Sequence, residues 1–193
     1  MRIRGLEIRR FNVYQLYELK HRQSYLKAPF SIEDIVYSAV DQNNIGDIAQ
    51  DVGEKVFKEF KKLLGRGDRG YYVYHNGRVI ACGWAFFNLK ANKVRKNYID
   101  IPKGFVWLHN FWTHPEFRGK GIYPTLLNFF CCTFDNALIS SAHNILIDSY
   151  SDNIASNKGI SKANFKPIGI INGVRIYRTW LTLRETYKKN ILF

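Results

Sequence analysis

Residues 105–138 read FVWLHNFWTHPEFRGKGIYPTLLNFFCCTFDNAL. Phe105 to Thr113 is aromatic and β-branched, the composition of a buried strand. His114-Pro115-Glu116-Phe117 ends it, because Pro115 has no N–H to give a sheet ladder. Arg118-Gly119-Lys120-Gly121 follows. Its glycines allow backbone conformations closed to other residues and a close approach to a ligand. Pro124 suits a first helical turn, where a missing N–H costs nothing. Leu127, Phe130, Cys131, Phe134 and Leu138 then recur at helical spacing. The stretch predicts a strand, a glycine-rich turn and a helix.

That order makes an anion site. Amides in the turn and in the first helical turn have no partner inside the helix, and the helix dipole adds partial positive charge there. Arg118 and Lys120 add full charges. The expected ligand part is a phosphate or pyrophosphate. A strand-turn-helix unit with a purely structural role carries the same pattern, so the turn alone does not decide between them.

The whole chain has 193 residues, a usual size for one domain with a sizeable core. At 46% hydrophobic and 16% aromatic residues it is a folding chain rather than a disordered one. Cys82, Cys131 and Cys132 lie in apolar segments without metal-type spacing. They read as core thiols of a reducing compartment. No signal-type apolar run opens the sequence, and Val79 to Phe87 is too short to span a bilayer, so a cytoplasmic protein without a membrane span is expected. The formal net charge of +13 favours anionic partners: nucleic acid, an anionic membrane or a polyphosphate ligand. A solvated basic surface is the plain alternative.

Along the chain, residues 3 to 17 predict a first strand and Lys20 to Pro29 a loop. Ser31 with Asp34 reads as a capping box, and Ile32, Ile35, Val36, Ala39 and Val40 as a short amphipathic helix after it. Asp47 is expected to cap a second helix with Val52, Val56, Phe60, Leu63 and Leu64 on one side. Gly65 ends that helix, and Lys55, Lys58, Lys61 and Lys62 form its solvated face. Asn76-Gly77 between Tyr71–Tyr74 and Val79–Phe87 is a strong hairpin signal. Leu89 to Gly104 reads as a basic connector, an ordinary surface loop or the border of an acceptor site. Asn144 to Tyr150 predicts a strand, Asp152 to Asn164 a turn and helix. Asn172-Gly173 reads as a hairpin turn between Lys166–Ile170 and Val174–Leu183. No repeat or linker stands out, so residues 1–193 are expected to form a single domain.

Arg118-Gly119-Lys120-Gly121 matches the first four positions of the R/Q-x-x-G-x-G/A signature of the GNAT acyltransferase superfamily, and His114 to Phe117 resembles the segment that precedes it there. Asp152-Asn153 through Asn164-Phe165 is similar to the family's next motif, an Asn followed by a helix and a closing G-F. The resemblance covers residues 70 to 183 well and the first 65 by layout alone. It implies an α/β (α+β) GNAT-like fold, a mixed, mostly antiparallel sheet flanked by helices. It implies acetyl-CoA as cosubstrate, no metal, and an acyl group passed from thioester to amine by direct attack. Such a reaction needs positioning, a base for the amine proton and stabilisation of charge on the thioester oxygen.

Carried over position by position, the resemblance puts the pantetheine arm on the backbone of Phe111, Trp112 and Thr113. It puts the pyrophosphate on the amides of Gly119, Lys120, Gly121, Ile122 and Tyr123, beside Arg118. Tyr123 stands where Gly or Ala is usual, and Pro124 removes one donor. Asn153 matches the second motif's Asn, with capping of the following helix as its plain role. His109, expected to share the parity of Trp107, Phe111 and Thr113, resembles the histidine of serotonin-type N-acetyltransferases that helps take the amine proton through water. A core histidine bonded to a neighbour is the alternative. The family's usual acid, a tyrosine, falls on Ile160 here, which leaves Tyr150 or water. A thiolate leaving group scarcely needs an acid, with a reference pKa near ~8.5.

The expectation is an N-acetyltransferase for the primary amine of a small acceptor, with an amino sugar, nucleotide-linked or not, preferred because phosphates suit the basic surface. No specific nucleic acid is expected, and a homodimer is left open. The alternatives are an acyltransferase for a peptide or protein amine, and a GNAT-like module that binds CoA or nucleic acid without catalysis.

Overall fold

The computed structural model describes residues 6–17, 34–96, 98–134, 144–176 and 179–187. In chain order they form β1 (Leu6–Leu16), β2 (Ile35–Ala39), α1 (Ala49–Gly65), β3 (Arg69–His75), β4 (Arg78–Asn88), β5 (Lys93–Lys96), β6 (Ile99–Pro102) and β7 (Phe105–Thr113). A short 3-10 turn (Pro115–Phe117) leads to α2 (Ile122–Thr133), β8 (Ile145–Tyr150), α3 (Ile154–Lys162), β9 (Phe165–Ile176) and β10 (Thr179–Tyr187). The expected class holds: an α/β fold with mostly antiparallel strands and, among the described residues, three α-helices. The chain groups into two compact units. One holds Met1–Leu19, Asn88–Trp107 and Phe134–Phe193; the other holds Lys20–Phe87 and Leu108–Thr133.

In the first unit the strands run in the order β10-β9-β1-β8. β1 is antiparallel to β8, with Phe11 opposite Tyr150, and antiparallel to β9 from Leu6↔Ile176 to Leu16↔Phe165. Phe11 is buried and stacks on Tyr98 at 3.7 Å between ring centroids. Asp148 on β8 accepts from Trp107 Nε1 at 2.6 Å and from the Tyr98 hydroxyl at 2.5 Å. Both of its oxygens are thus satisfied where a bare carboxylate would be costly.

In the second unit the order is β7-β4-β3-β2. Tyr71 and Tyr72, adjacent on β3, point to opposite faces as strand geometry requires. Tyr72 donates to the Ile45 carbonyl at 3.2 Å, inside a cluster with Ile48, Phe60, Leu63 and Trp84. Tyr71 meets Phe129 and Phe130 of α2 at 5.0 and 5.2 Å. The two helices therefore cover opposite faces of these four strands.

Asn76 (φ 49°) and Gly77 (φ 76°) make the expected tight hairpin between β3 and β4. Lys55, Lys58, Lys61 and Lys62 are exposed, as anticipated. Other expectations are corrected. Residues 35–39 are not helical. They form β2 on β3, with Ile35 opposite His75 and Tyr37 stacked on Phe129 at 4.3 Å. Ile35-Val36 and Ala39-Val40 imitate a helical stripe, but β-branched and aromatic residues suit an edge strand. Ser31 and Lys20–Pro29 lie outside the described residues, as does Leu138. Asp47 does not cap α1; its carboxylate accepts from the Tyr74 hydroxyl at 2.6 Å. Gly65 is the last residue of α1, and Gly67 (φ 83°) makes the left-handed turn that leaves it. Residues 89–104 are not a plain loop, since β5 pairs with β6, Lys93 opposite Pro102. Asn172-Gly173 does not turn. Gly173 sits inside β9 with Arg9 on one side and Thr182 on the other, so the chain cannot reverse there.

Candidate active site

The Arg118–Gly121 turn takes the shape its glycines permit. Gly119 (φ 75°) and Gly121 (φ 78°) are both left-handed, a region that costs other residues energy. The Gly121 carbonyl accepts from the amide of Thr125 at 3.3 Å and from its hydroxyl at 3.2 Å, which starts the α2 ladder. Exposed Arg118 folds back so that its Nε donates to the Thr113 carbonyl at 3.1 Å, tying the turn to the strand it leaves. The Lys120 ammonium lies 5.0 Å from the Phe117 ring centroid. His114 donates its amide to the Ile80 carbonyl at 2.8 Å, and its Nδ1 accepts from the Glu116 amide at 3.4 Å, capping the 3-10 turn. The turn thus presents backbone amides and two surface cations at a helix start, a combination that holds anionic oxygens.

Tyr123 directs its ring inward, edge-on to Phe111 at 5.5 Å. That places the side chain at the irregular motif position among the packed aromatics, with Phe130 5.3 Å from Phe111. Ile122 is buried as the first residue of α2.

β7 carries a break that the sequence reading missed. Asn110 has φ 52°, left-handed backbone inside a strand, and its side-chain amide donates to Glu59 of α1 at 3.3 Å. Alternation is reset there. Phe111 turns to α2, Trp112 packs against the α1 cluster, and His109 turns to Asp68 between α1 and β3. The expected common face of His109 and Phe111 is therefore corrected. Trp107 belongs to the first unit, where it donates to Asp148.

His109 is buried, with Nε2 3.3 Å from Asp68 Oδ2. The same oxygen accepts from Arg66 Nη2 at 3.0 Å. Burial alone would raise the Asp68 carboxyl. The His109 imidazole and the Arg66 guanidinium outweigh it and hold the group below its ordinary value. Sequence reasoning passed over both Asp68 and Arg66. The available signal was a lone acid straight after a helix-ending glycine in a basic segment.

Two proposed site residues belong to the first unit. Asn153 caps α3, its side-chain oxygen accepting from the Ser156 amide at 3.1 Å. Tyr150 ends β8 half-exposed, 4.9 Å from the Phe11 ring and under the Arg9 guanidinium at 5.3 Å. Burial, chiefly, raises its phenol, so it is protonated at neutral pH. Ile160, at the position of the family's usual acid, is fully buried.

A model of the acetyltransferase (GNAT) family matches residues 32–156. No curated protein matches the chain in sequence. A GNAT-family acetyltransferase from Colwellia psychrerythraea has the same fold with TM-score 0.55 at 16% identity, over 93% of this chain and 57% of that one. A GCN5-related N-acetyltransferase-like protein from Streptococcus suis gives TM-score 0.59 at 13% identity, over 92% and 63%. This chain spans less than two thirds of either. Aminoglycoside N-acetyltransferase AAC(6')-Iy, solved with CoA, gives TM-score 0.51 at 15% identity, over 68% of this chain and 91% of that one. At such identities the likeness is one of fold.

Proposed function

Because this chain belongs to the GNAT family of acetyltransferases, we propose that it moves an acetyl group from acetyl-CoA to the primary amine of a small acceptor, by direct attack in a ternary complex. The observation that carries the reading is the Arg118–Gly121 turn, with both glycines left-handed at the start of α2. The pyrophosphate rests on the amides from Gly119 to Tyr123, flanked by Arg118 and Lys120. The pantetheine runs along the backbone of Phe111, Trp112 and Thr113, where an amide polarises the thioester carbonyl. His109 takes the proton that the attacking nitrogen loses. Tyr150, a neutral phenol, and Asn153, which caps α3, belong to the other compact unit.

An amino sugar, free or nucleotide-linked, is the preferred acceptor. The net charge of +13 suits its phosphates, and AAC(6')-Iy, which has the same fold, was also solved with a CoA-linked aminoglycoside analogue. The buried Ile160 in the usual acid position favours a second reading, a CoA-binding module without catalysis. A scan of amines with acetyl-CoA, read by release of free thiol, separates the two. Turnover of an amino sugar above peptide and polyamine controls supports the first. Tight CoA binding with no thiol released on any amine supports the second.

A further inference from the structure

We propose that His114 is a proton-sensitive positioning residue for the Arg118–Gly121 turn: its neutral ring holds the start of that turn, and its protonated ring releases it. The proposal rests on the reading of the turn as the seat of the cofactor's pyrophosphate. All the groups it invokes belong to one compact unit.

Three observations carry it. The first is where the ring sits. The His114 side chain is 12% exposed, and that of Asp51 on α1, beside it, 10%. Nε2 lies 3.0 Å from Arg78 Nη2 of β4 and 3.7 Å from Asp51 Oδ1. Nδ1 lies 3.4 Å from the Glu116 amide and 3.8 Å from Glu116 Oε2. Each ring nitrogen thus faces one donor and, just beyond hydrogen-bond reach, one carboxylate.

The second is what a proton does there. A neutral imidazole has one nitrogen free to accept. It takes either the Arg78 or the Glu116 donor, and its other nitrogen turns an N–H toward the carboxylate on that side. An imidazolium accepts from neither. Its Nε2–H stands against a guanidinium, donor to donor and cation to cation. Arg78 stays charged, held above its ordinary value chiefly by its bond to Asp51. The protonated ring is therefore pressed away from Arg78 and competes with it for Asp51 Oδ1, the oxygen that Arg78 Nη2 already holds.

The third is what the ring supports. Its Nδ1 caps the 3-10 turn, whose next amides, Phe117 and Arg118, donate to the carbonyls of His114 and Pro115 at 2.9 and 3.2 Å. Gly119 follows at once. The Phe117 ring lies 6.0 Å from the His114 ring and 5.0 Å from the Lys120 ammonium. The Trp112 ring, 5.8 Å from that of His114, and His75 of β3, 5.4 Å from that of Phe117, complete the surroundings. Loss of the acceptor leaves the Glu116 amide without its cap, directly before the amides read as holding phosphate. As pH falls through ~8 to 5, where histidines titrate, acetyl-CoA should therefore bind more weakly.

The test uses the full chain. Nitrogen–proton spectra follow the Glu116 amide and the His114 ring from ~pH 8 to ~5.5. His114→Asn keeps a side-chain oxygen for that amide and takes no proton. We expect the amide to shift with the same midpoint as the ring in the wild type, and to lose that transition in His114→Asn. Calorimetry over the same range should show the wild type losing ~3–10-fold more acetyl-CoA affinity than His114→Asn. The ratio of the two curves cancels titration of the cofactor's own phosphates. An amide that ignores the ring, or two parallel affinity curves, overturns the proposal. If His114→Asn does not fold, Arg78→Gln replaces it. With the cation gone from Nε2, the midpoint should move to higher pH, and an unmoved midpoint overturns the proposal. The spectral arm needs no cofactor. A Glu116 amide that follows the ring, while Gly121→Asp binds acetyl-CoA as the wild type does, upholds the switch and overturns only the reading of the turn as the cofactor site.

Discussion

The ring of Phe111 fills the space that a side chain on Gly83 would need: an ideal β-carbon at Gly83 would lie 2.3 Å from Phe111 Cε1 and 2.6 Å from Cδ1. The glycine on β4 lets the strand proposed to carry the pantetheine seat an aromatic directly on its neighbour's backbone. Gly83→Ala should therefore act as overpacking, at about 1–3 kcal/mol. For a chain of this size that corresponds to a melting temperature roughly 3–10 °C lower. Thermal unfolding checks it, and Phe111→Leu in the same chain should return most of the loss. An unshifted melting curve in Gly83→Ala would show that the ring moves aside freely.

Gly121 has φ 78° at the start of α2. Gly121→Asp adds a β-carbon to left-handed backbone and a negative charge to a turn read as a phosphate cradle. Calorimetry should show acetyl-CoA binding at least ~10-fold weaker, about 1.4 kcal/mol. Unchanged affinity in a folded variant would remove the turn from the cofactor site.

His109→Ala should lower the acylation rate ~10²–10⁴-fold and leave acetyl-CoA affinity nearly intact, as loss of a general base does. A core histidine alone would give another result, a lower melting temperature with activity falling only as folded protein is lost. Measuring rate, affinity and melting on one variant distinguishes them.

Asp68 supplies a prediction in pH. Its folded carboxyl lies below its ordinary value, so its contribution to stability is complete above the unfolded value of ~3.9 and is lost as pH falls through the lower, folded value. Asp68→Asn should melt below the wild type at neutral pH, and the gap should close as the pH drops under ~4. A gap of constant size down to strong acid would mean that the ionised carboxylate adds nothing.

The net charge of +13 yields a prediction about nucleic acid. Generic duplex should bind weakly, with affinity falling steeply as salt rises and no preference among sequences. Tight, selective binding in a gel-shift series would favour a binding module over an enzyme of small amines.

The turn and its helix were legible in the sequence because glycine, proline and apolar spacing act locally there. The Asn76-Gly77 hairpin was legible for the same reason. Asn172-Gly173 carried an equal local signal and failed, because pairing of β9 with β1 and β10 is decided by residues far along the chain. The stretch at 35–40 failed in reverse: its apolar residues fit a helical stripe, and only the partner strand β3 makes it a strand. In the candidate site, the type and strand position of His109 were legible, but not the direction of its ring. That depends on a one-residue irregularity at Asn110 and on an acid forty residues away in sequence, neither of which spacing reveals.

The pairing of β1 sets an order of events during synthesis. Phe11 needs Tyr150 on one side and Ile171 on the other, so β1 has neither neighbour until more than 130 further residues are made. At ~5–20 residues per second the wait is on the order of 10 s. Lys20–Phe87 and Leu108–Thr133 are complete well before that. The residues of the unit holding His109 and the glycine turn are therefore all made before the partners that β1 waits for in the unit holding Tyr150.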